Sequence, residues 1–263
     1  MFKKLNSLLK MFGIDFHTML VAIAAMPWYL ACLRQAKRQS HALIREEFPF
    51  GKLYPCLADR SDDSGVARGH YFHQDLLVAR KIFAARPVRH VDVGSRIDGF
   101  VAHVASFREI EVLDIRALPA TSRNIVFRQA DLMASRPDAP LLVCDSLSCL
   151  HALEHFGLGR YGDQVNLNGH KTGFANMAAM LKPGGTFYLS VPMGAQRIEF
   201  NAHRVFALQY LLDMVQAEFT VQSFSYVDDD GDLHEDEKLV AGPVAANFNC
   251  HYGCAILELV KKR

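Results

Sequence analysis

The fold of this chain is decided by the stretch His90-Val91-Asp92-Val93-Gly94-Ser95-Arg96-Ile97-Asp98-Gly99. It predicts a short buried strand that runs into a glycine-bearing loop, where main-chain N–H groups can come close to a ligand. A second apolar run, Ile110-Glu111-Val112-Leu113, ends in Asp114. A carboxylate at that strand tip can accept hydrogen bonds from ribose hydroxyls, so the pair indicates a nucleoside-binding arrangement. Because G-x-G-x-x-G spacing is missing, a buried strand with an ordinary turn is an equal alternative for this segment alone.

A regular alternation of strands and helices follows this stretch. Short apolar runs predict strands near residues 90–93, 110–114, 124–127, 141–144, 186–191, 220–227 and 254–260. Helices are predicted over 75–85, 100–107 and 174–181, and Lys182-Pro183-Gly184-Gly185 marks the turn into the fifth strand. This alternation indicates an α/β fold, a doubly wound and mostly parallel sheet with helices on both faces.

The composition is that of a globular protein. The chain has 263 residues, 50% of them hydrophobic, and a formal net charge of +1. That length suits one large domain with an appendage. No basic run is interleaved with aromatic residues, so nothing indicates a nucleic-acid partner. The six cysteines lack C-x-x-C spacing and no secretory cleavage signal is evident, which favours the cytoplasm.

The first 45 residues are predicted to form a separate helical, amphipathic segment, followed by the main domain over 46–263, with its core sheet from about residue 88. Apolar residues 19–33 contain Pro27, Trp28 and Tyr29 and have basic flanks. This run is shorter than the roughly 20 residues of a membrane span. Trp and Tyr beside basic residues are typical of a helix in a membrane interface, which predicts peripheral membrane contact through the first 40 residues. A helix packed on the domain or on a second subunit, as in a homodimer, is the alternative.

Polar residues follow the predicted strands at their carboxyl ends, where ligands bind in a doubly wound sheet. Four of these ends carry a carboxylate. The polar set consists of Asp92, Gly94, Ser95, Asp114, Asp131, Asp145 and Ser146. Carboxylates at four strand tips indicate a ligand site, and one or two of them can be helix N-caps instead.

The run 145–157 concentrates residue types that catalyse reactions. If it is helical, His151 and His155 share one face at i, i+4 spacing, with Glu154 beside them. The order His-x-x-Glu-His also matches an inverse zinc-peptidase motif. Its position after the fourth strand of a nucleotide-type sheet argues against a peptidase, and no metal ligand is predicted.

These stretches together resemble class I S-adenosylmethionine-dependent methyltransferases. The resemblance covers about residues 70–260, and its elements are the run 90–99, Asp114, Asp131, the run 147–155 and the run 180–192. The Leu-Lys-Pro-Gly-Gly entry to the fifth strand is the most specific of them. The family fold implies an antiparallel last strand. More narrowly, residues 69–75, 90–100 and 197–204 resemble a poorly characterised bacterial group associated with surface-polysaccharide genes.

The resemblance implies S-adenosylmethionine as cofactor. Asp92 and Gly94, with Ser95, match the first motif, whose loop wraps the methionine part of the cofactor. The usual run of alternating glycines is reduced here to Gly94 and Gly99. Arg96 stands between them, where it would pair with the cofactor carboxylate.

The later strand tips match further positions of the family. Asp114 matches the acid that holds the ribose hydroxyls. Asp131 matches the residue that bonds the adenine amino group, and Leu132 would lie against the ring. Asp145 and Ser146 match the fourth motif, near the sulfonium and the substrate.

Methyl transfer to a hydroxyl needs orientation and a base within hydrogen-bond reach of the acceptor. We expect His155 first and His203 second in this role, with Glu154 as a further catalytic candidate. His203 lies in a polar run that suits a sugar or sugar phosphate. That run is equally well explained as a helix start, with Asn201 as the cap and Arg204 in an ion pair.

The leading interpretation is therefore O-methylation of a carbohydrate or other hydroxyl-bearing acceptor in surface-glycan biosynthesis. A second interpretation is a non-catalytic, methyltransferase-like scaffold protein at the membrane. A dehydrogenase is disfavoured by the missing G-x-G-x-x-G spacing and by the late pair of strands.

Overall fold

The computed structural model describes residues 13–42, 48–120, 122–134 and 143–263. They belong to two compact units, which divide between Val66 and Ala67. Among its described residues, the first unit contains one long helix, α1 (Phe16–Ala42). The part of the predicted membrane-contacting segment before residue 13 lies outside the described residues.

Helix α1 carries apolar side chains on its surface. Leu20 and Ile23 are 61% and 62% exposed. The span Phe16–Ser40 is long and apolar enough to cross a membrane, judged by length and composition alone. A signal sequence near an N-terminus has the same length and composition.

The described residues of the second unit form an eight-stranded sheet. Its strands are β1 (His90–Val93), β2 (Ile110–Asp114), β3 (Ile125–Gln129), β4 (Cys144–Leu150), β5 (Leu181–Met193), β8 (Phe219–Val227), β9 (Leu233–His234) and β10 (Gly253–Lys261), in the order β3-β2-β1-β4-β5-β10-β8-β9. Strands β1 to β5 are parallel to one another, and β10 runs antiparallel between β5 and β8. Two short strands, β6 (Arg197–Glu199) and β7 (His203–Val205), form a separate antiparallel pair. This topology confirms the predicted doubly wound α/β fold with an antiparallel last strand.

Helices cover both faces of this sheet. They are α2 (His70–Ala85), α3 (Ala102–Ala105), α4 (Gly169–Met180), α5 (Leu208–Val215) and α6 (Ala241–Ala245), with a π-helical turn at Ile97–Val101 and 3-10 turns at Leu153–His155 and Asn247–Asn249. In β5, Phe187 and Leu189 pack in one apolar cluster with α4 and α5, whereas Tyr188 packs in another with α2 and α3. Because successive strand side chains point to opposite faces, the two clusters form the two halves of the core.

The fourth strand begins and ends later than the sequence predicts. A strand was expected near 141–144 with a helix after it, but β4 spans Cys144–Leu150. Ser146 and Ser148 are buried inside this strand because their hydroxyls lie 2.8 and 3.2 Å from the two ring nitrogens of His90. A buried strand tolerates such polar residues when their hydrogen bonds are made within the core.

The predicted placement of Asp145 and Ser146 at the carboxyl end of the fourth strand is therefore wrong. Ser146 lies opposite His90, the first residue of β1. Asp145 accepts hydrogen bonds from the backbone N–H groups of Val88 and Arg89, both at 2.7 Å. Both residues are thus at the edge of the sheet where β1 and β4 begin, opposite the edge where ligands bind in this class of fold.

Candidate functional site

A cavity of about 340 Å³ opens at the carboxyl ends of the first four strands. Gly94 follows β1, Asp114 ends β2, Asp131 follows β3 and His151 follows β4, and all four line this cavity. Ligand sites in proteins have volumes of roughly 300–1,000 Å³ and are mostly apolar with a few polar groups. Gly94, Asp114 and Asp131 are strand-end residues that the sequence singled out, whereas His151 occupies the fourth strand end in place of Asp145.

The loop after β1 is fixed by its glycine and by a buried carboxylate. Gly94 has a φ of 71°, and a Cβ there would lie 2.9 Å from the Cβ of Ala152, so a side chain is excluded. The hydroxyl of Ser95 donates to Asp92 at 2.6 Å and accepts from the Leu150 N–H at 3.1 Å. Burial raises the pKa of Asp92 to about 6, although hydrogen bonds from Ser148 and Ser95 act to lower it. Asp92 and Ser95 are not among the residues lining the cavity, so they hold the loop in place from beneath.

Arg96 is the charged residue of this loop that lines the cavity. Its guanidinium pairs with Asp98 at 2.8 Å and lies 5.2 Å from the centre of the Tyr71 ring. Half of the Arg96 side chain is exposed. A cation stacked on an aromatic ring at the rim of a cavity is suited to an anionic group such as a carboxylate.

The carboxylate of Asp114 is held by Arg116. The Arg116 Nε and Nη2 atoms lie 3.0 and 2.6 Å from its two oxygens. The same guanidinium lies 4.3 Å from the centre of the Tyr161 ring, which places both side chains at the cavity. Each carboxylate oxygen has two lone pairs, so Asp114 retains acceptor capacity toward a ligand hydroxyl.

The residues after β3 form an apolar wall with one acid. Asp131 accepts a hydrogen bond from the Met133 N–H at 2.8 Å, which closes the turn. Leu132 is buried, and its carbonyl accepts a hydrogen bond from the Asn176 side chain at 2.7 Å. Leu132 and, from the turn after β4, Phe156 line the cavity, so together they offer an apolar surface to a flat ring with a carboxylate beside it.

A histidine group lies on the other side of the cavity, after β4. His151 Nδ1 is 2.7 Å from Glu154 Oε1, and His151 Nε2 is 3.1 Å from His70 Nδ1. Burial would lower the pKa of His151, but the adjacent Cys254 and Glu154 hold that pKa well above its usual value. Burial lowers the pKa of His70 to about 4. Burial would raise the pKa of Glu154, yet His151 keeps it below its usual value.

His155, the first predicted base, also lines the cavity. Its Nδ1 is 2.6 Å from the carbonyl oxygen of Ala202, and its Nε2 is 3.7 Å from Glu154 Oε1. Burial lowers its pKa, against the opposing effect of Glu154. His151 and His155 do not share a helical face as predicted, because His151 has a left-handed φ of 51° and residues Leu153–His155 form a single 3-10 turn.

His203, the second predicted base, is adjacent to this group without lining the cavity. Its ring centre is 6.4 Å from that of His155 and 5.2 Å from that of Tyr252. Its Nε2 lies 3.2 Å from a carboxylate oxygen of Glu199. The alternative of a helix start at this position is wrong, because these residues form the strand pair β6–β7, where Arg204 is buried and donates to backbone carbonyls such as that of Phe156.

Four residues that line the cavity belong to no motif recognised in the sequence. Arg116, Arg160, Tyr161 and Asp163 line the cavity. The last three belong to the loop after the 3-10 turn, which Asp163 stabilises by accepting hydrogen bonds from backbone N–H groups of that loop. The position of Arg116, two residues beyond Asp114, is the one signal in the sequence that could have indicated its role.

Two comparisons concern the sequence itself. The model of a family described as "Caenorhabditis protein of unknown function, DUF268" matches residues 143–239, which include β4, His151, Glu154 and His155. Comparison with curated proteins gave no match.

The fold is shared with solved methyltransferase structures. The Burkholderia thailandensis 1,6-didemethyltoxoflavin-N1-methyltransferase, with 1,6-didemethyltoxoflavin and S-adenosylhomocysteine bound, is 15% identical, with a TM-score of 0.50 over 72% of this chain and 79% of that chain. The N-methyltransferase NodS from Bradyrhizobium japonicum WM9 is 10% identical, with a TM-score of 0.50 over 75% of this chain and 100% of that chain. At such identities the likeness concerns the fold alone. The second unit of this chain has the Rossmann-like fold of class I S-adenosylmethionine-dependent methyltransferases.

Proposed function

We propose that this protein is a methyltransferase that binds S-adenosylmethionine in the cavity described above. The observation that carries the proposal is the arrangement of three strand ends around one cavity, with Gly94 after β1, Asp114 at the tip of β2 and Asp131 after β3. A nucleoside needs a hydroxyl acceptor, an apolar surface for its base and close approach of the backbone. The cavity offers all three.

The described residues fit each part of this cofactor. Asp114 would accept the ribose hydroxyls, and Asp131 with Leu132 would hold the adenine ring. Arg96 would pair with the amino-acid carboxylate, since its guanidinium lies at the rim of the cavity and is half-exposed. The cofactor, when bound, supplies a methyl group on a positively charged sulfur.

We propose a hydroxyl-bearing acceptor, a small molecule or a glycan, and a role in surface-glycan biosynthesis. His155 supports this choice because it can act as a base toward a hydroxyl. The Ala202 carbonyl can only accept a hydrogen bond, so His155 Nδ1 carries the proton and Nε2 keeps its lone pair. Glu154 Oε1, 3.7 Å from Nε2, would stabilise the ring once it has taken the hydroxyl proton.

Titration calorimetry with S-adenosylhomocysteine tests the cofactor assignment. Micromolar binding is expected, together with no binding of NAD. A preference for NAD would replace the proposal with a nucleotide-dependent oxidoreductase. No binding of either compound would favour the second candidate below.

The second candidate is a non-catalytic, methyltransferase-like scaffold at the inner face of the membrane. Two observations favour it. The loop after β1 presents Arg96 paired with Asp98 where the family has glycine, and helix α1 exposes apolar side chains along a span long enough to cross a membrane. A cytoplasmic protein with peripheral membrane contact, or a homodimer through α1, belongs to either candidate.

A further inference from the structure

Two histidines and a cysteine from three separate elements converge beside the cavity. His70 begins α2, His151 follows β4 and Cys254 lies in β10. One donor atom of each side chain lies within 4.8 Å of the other two, and no other such group of three is found among the described residues. His151 and Cys254 lie 81 and 184 positions after His70 in the sequence, and the fold brings the three side chains together.

The spacing of these donor atoms is close to that of a tetrahedral zinc site. Zn–N bonds of about 2.0–2.1 Å and Zn–S bonds of about 2.3 Å place tetrahedral donors roughly 3.3–3.6 Å apart. The His70 Nδ1 and His151 Nε2 atoms are 3.1 Å apart, and the longest separation in the group does not exceed 4.8 Å. Side-chain adjustments of about 1 Å would therefore close the site around an ion.

The surroundings of His151 also match those of a metal ligand. Metal-bound histidines almost always donate their other ring N–H to a carboxylate or a carbonyl oxygen. His151 Nδ1 lies 2.7 Å from Glu154 Oε1, which leaves Nε2 for a metal. Glu154 is 1% exposed, and its Oε2 has no hydrogen-bond partner among the described residues.

The charges balance when a divalent ion is added to this group. A buried carboxylate with an unsatisfied oxygen is costly unless a positive charge lies nearby. A divalent cation would displace the ligand protons of His151 and Cys254; two neutral imidazoles, the Cys254 thiolate and the Glu154 carboxylate then carry two negative charges, which the cation neutralises.

We propose that His70, His151 and Cys254 bind a zinc ion. Nitrogen and sulfur donors select zinc over magnesium or calcium, which prefer oxygen. Three protein donors leave a fourth coordination position for water or a substrate group. His151 and the neighbouring Tyr71 line the cavity, so an ion can reach the site from it. The proposal stands without methyl transfer, because it rests on these side chains alone.

The test uses the full-length protein after removal of metals with a chelator. Titration with zinc alone should give one tightly bound equivalent, with a submicromolar dissociation constant. Cobalt(II) in place of zinc should give the intense visible bands of a tetrahedral site and a near-ultraviolet thiolate charge-transfer band. Cys254→Ser should abolish the charge-transfer band, and His70→Gln should weaken zinc binding by more than about 100-fold. Cys250→Ser is the matched control, because Cys250 is also buried and lies outside the donor group.

A further variant separates the proposed ligands from their support. Glu154→Gln should weaken zinc binding by about 10–100-fold and keep the charge-transfer band, since Glu154 acts through His151. The proposal is overturned if the wild-type protein binds less than one equivalent or gives no charge-transfer band. It is also overturned if that band survives in Cys254→Ser and is lost when the exposed Cys32 or Cys56 is replaced. Neither readout needs S-adenosylmethionine, so failure here leaves the proposed function intact.

Discussion

Replacing Asp114 with asparagine is a sharp test of the proposed cofactor site. The Asp114 side chain is 13% exposed and pairs with Arg116, whose side chain is half-exposed. An ion pair with one half-exposed partner contributes up to about 1 kcal/mol to folding. We therefore expect Asp114→Asn to fold, with a free energy of unfolding within about 1 kcal/mol of the wild type.

The effect on binding should be larger than the effect on folding. Hydrogen bonds to a charged group contribute about 1.5–3 kcal/mol, and the asparagine amide replaces one carboxylate oxygen with a donor. The dissociation constant of S-adenosylhomocysteine should then rise by about 10- to 150-fold. Titration calorimetry on wild type and variant, at one pH and salt concentration, measures this change.

Glu111→Gln is the matched control for this experiment. Glu111 lies on the same strand, has the same side-chain exposure of 13% and pairs with an arginine, Arg89, but it does not line the cavity. Its replacement should leave the affinity unchanged. Unchanged affinity in folded Asp114→Asn, or an equal loss in both variants, would remove Asp114 from the cofactor site.

Three more predictions follow from the described contacts. His155→Ala should lower turnover by about 10²–10⁴-fold with little change in S-adenosylhomocysteine affinity. His203 does not line the cavity, so His203→Ala should lower turnover far less. Equal losses of turnover in the two variants would contradict the assignment. Burial lowers the pKa of His90 from 6.5 to about 3, so its contribution to stability is present above pH 6.5 and is lost as the pH falls toward 3. His90→Gln should flatten that part of the profile of unfolding free energy against pH, measured by urea titrations at several pH values. A profile as steep as that of the wild type would refute this. The double variant Leu20→Glu/Ile23→Glu should reduce co-sedimentation with anionic liposomes and keep S-adenosylhomocysteine affinity; if the wild type does not sediment, α1 has no membrane role.

The sequence predicts those parts of the fold whose signals are local. Apolar runs bounded by glycine, proline and acids mark β1, β2 and β3, so the tips carrying Gly94, Asp114 and Asp131 are predicted within a residue or two. Helix α2 was expected from residue 75 and begins at His70, because aromatic and histidine residues in its first turn do not give an apolar period. The antiparallel β10 followed from the family resemblance, and the strand order was not predicted, since no local pattern specifies either of them.

The fourth strand shows where local reasoning fails. The polar run after residue 144 suggests a helix that follows the strand, yet Ser148 donates to Asp92 at 2.5 Å and Ser146 bonds His90 across the β1–β4 pair. Those partners lie 56 residues away in sequence, so no window along the chain can register them. Because the predicted strand ended at residue 144, Asp145 was assigned to the fourth motif at the carboxyl ends of the strands. In the structure Asp145 lies at the opposite edge of the sheet, where β1 and β4 begin. The residue that does follow β4 at the cavity is His151.

His151 belongs to both the proposed cofactor site and the proposed zinc site, and this has a thermodynamic consequence. It lines the cavity and belongs to the proposed zinc group, so its ring orientation affects ligands at both places. Coupling between two binding equilibria is reciprocal. If zinc changes the dissociation constant of S-adenosylhomocysteine by some factor, S-adenosylhomocysteine must change that of zinc by the same factor. We expect a measurable factor in calorimetric titrations of each compound with and without the other. Independent binding would show that His151 acts at one of the two sites and not at both.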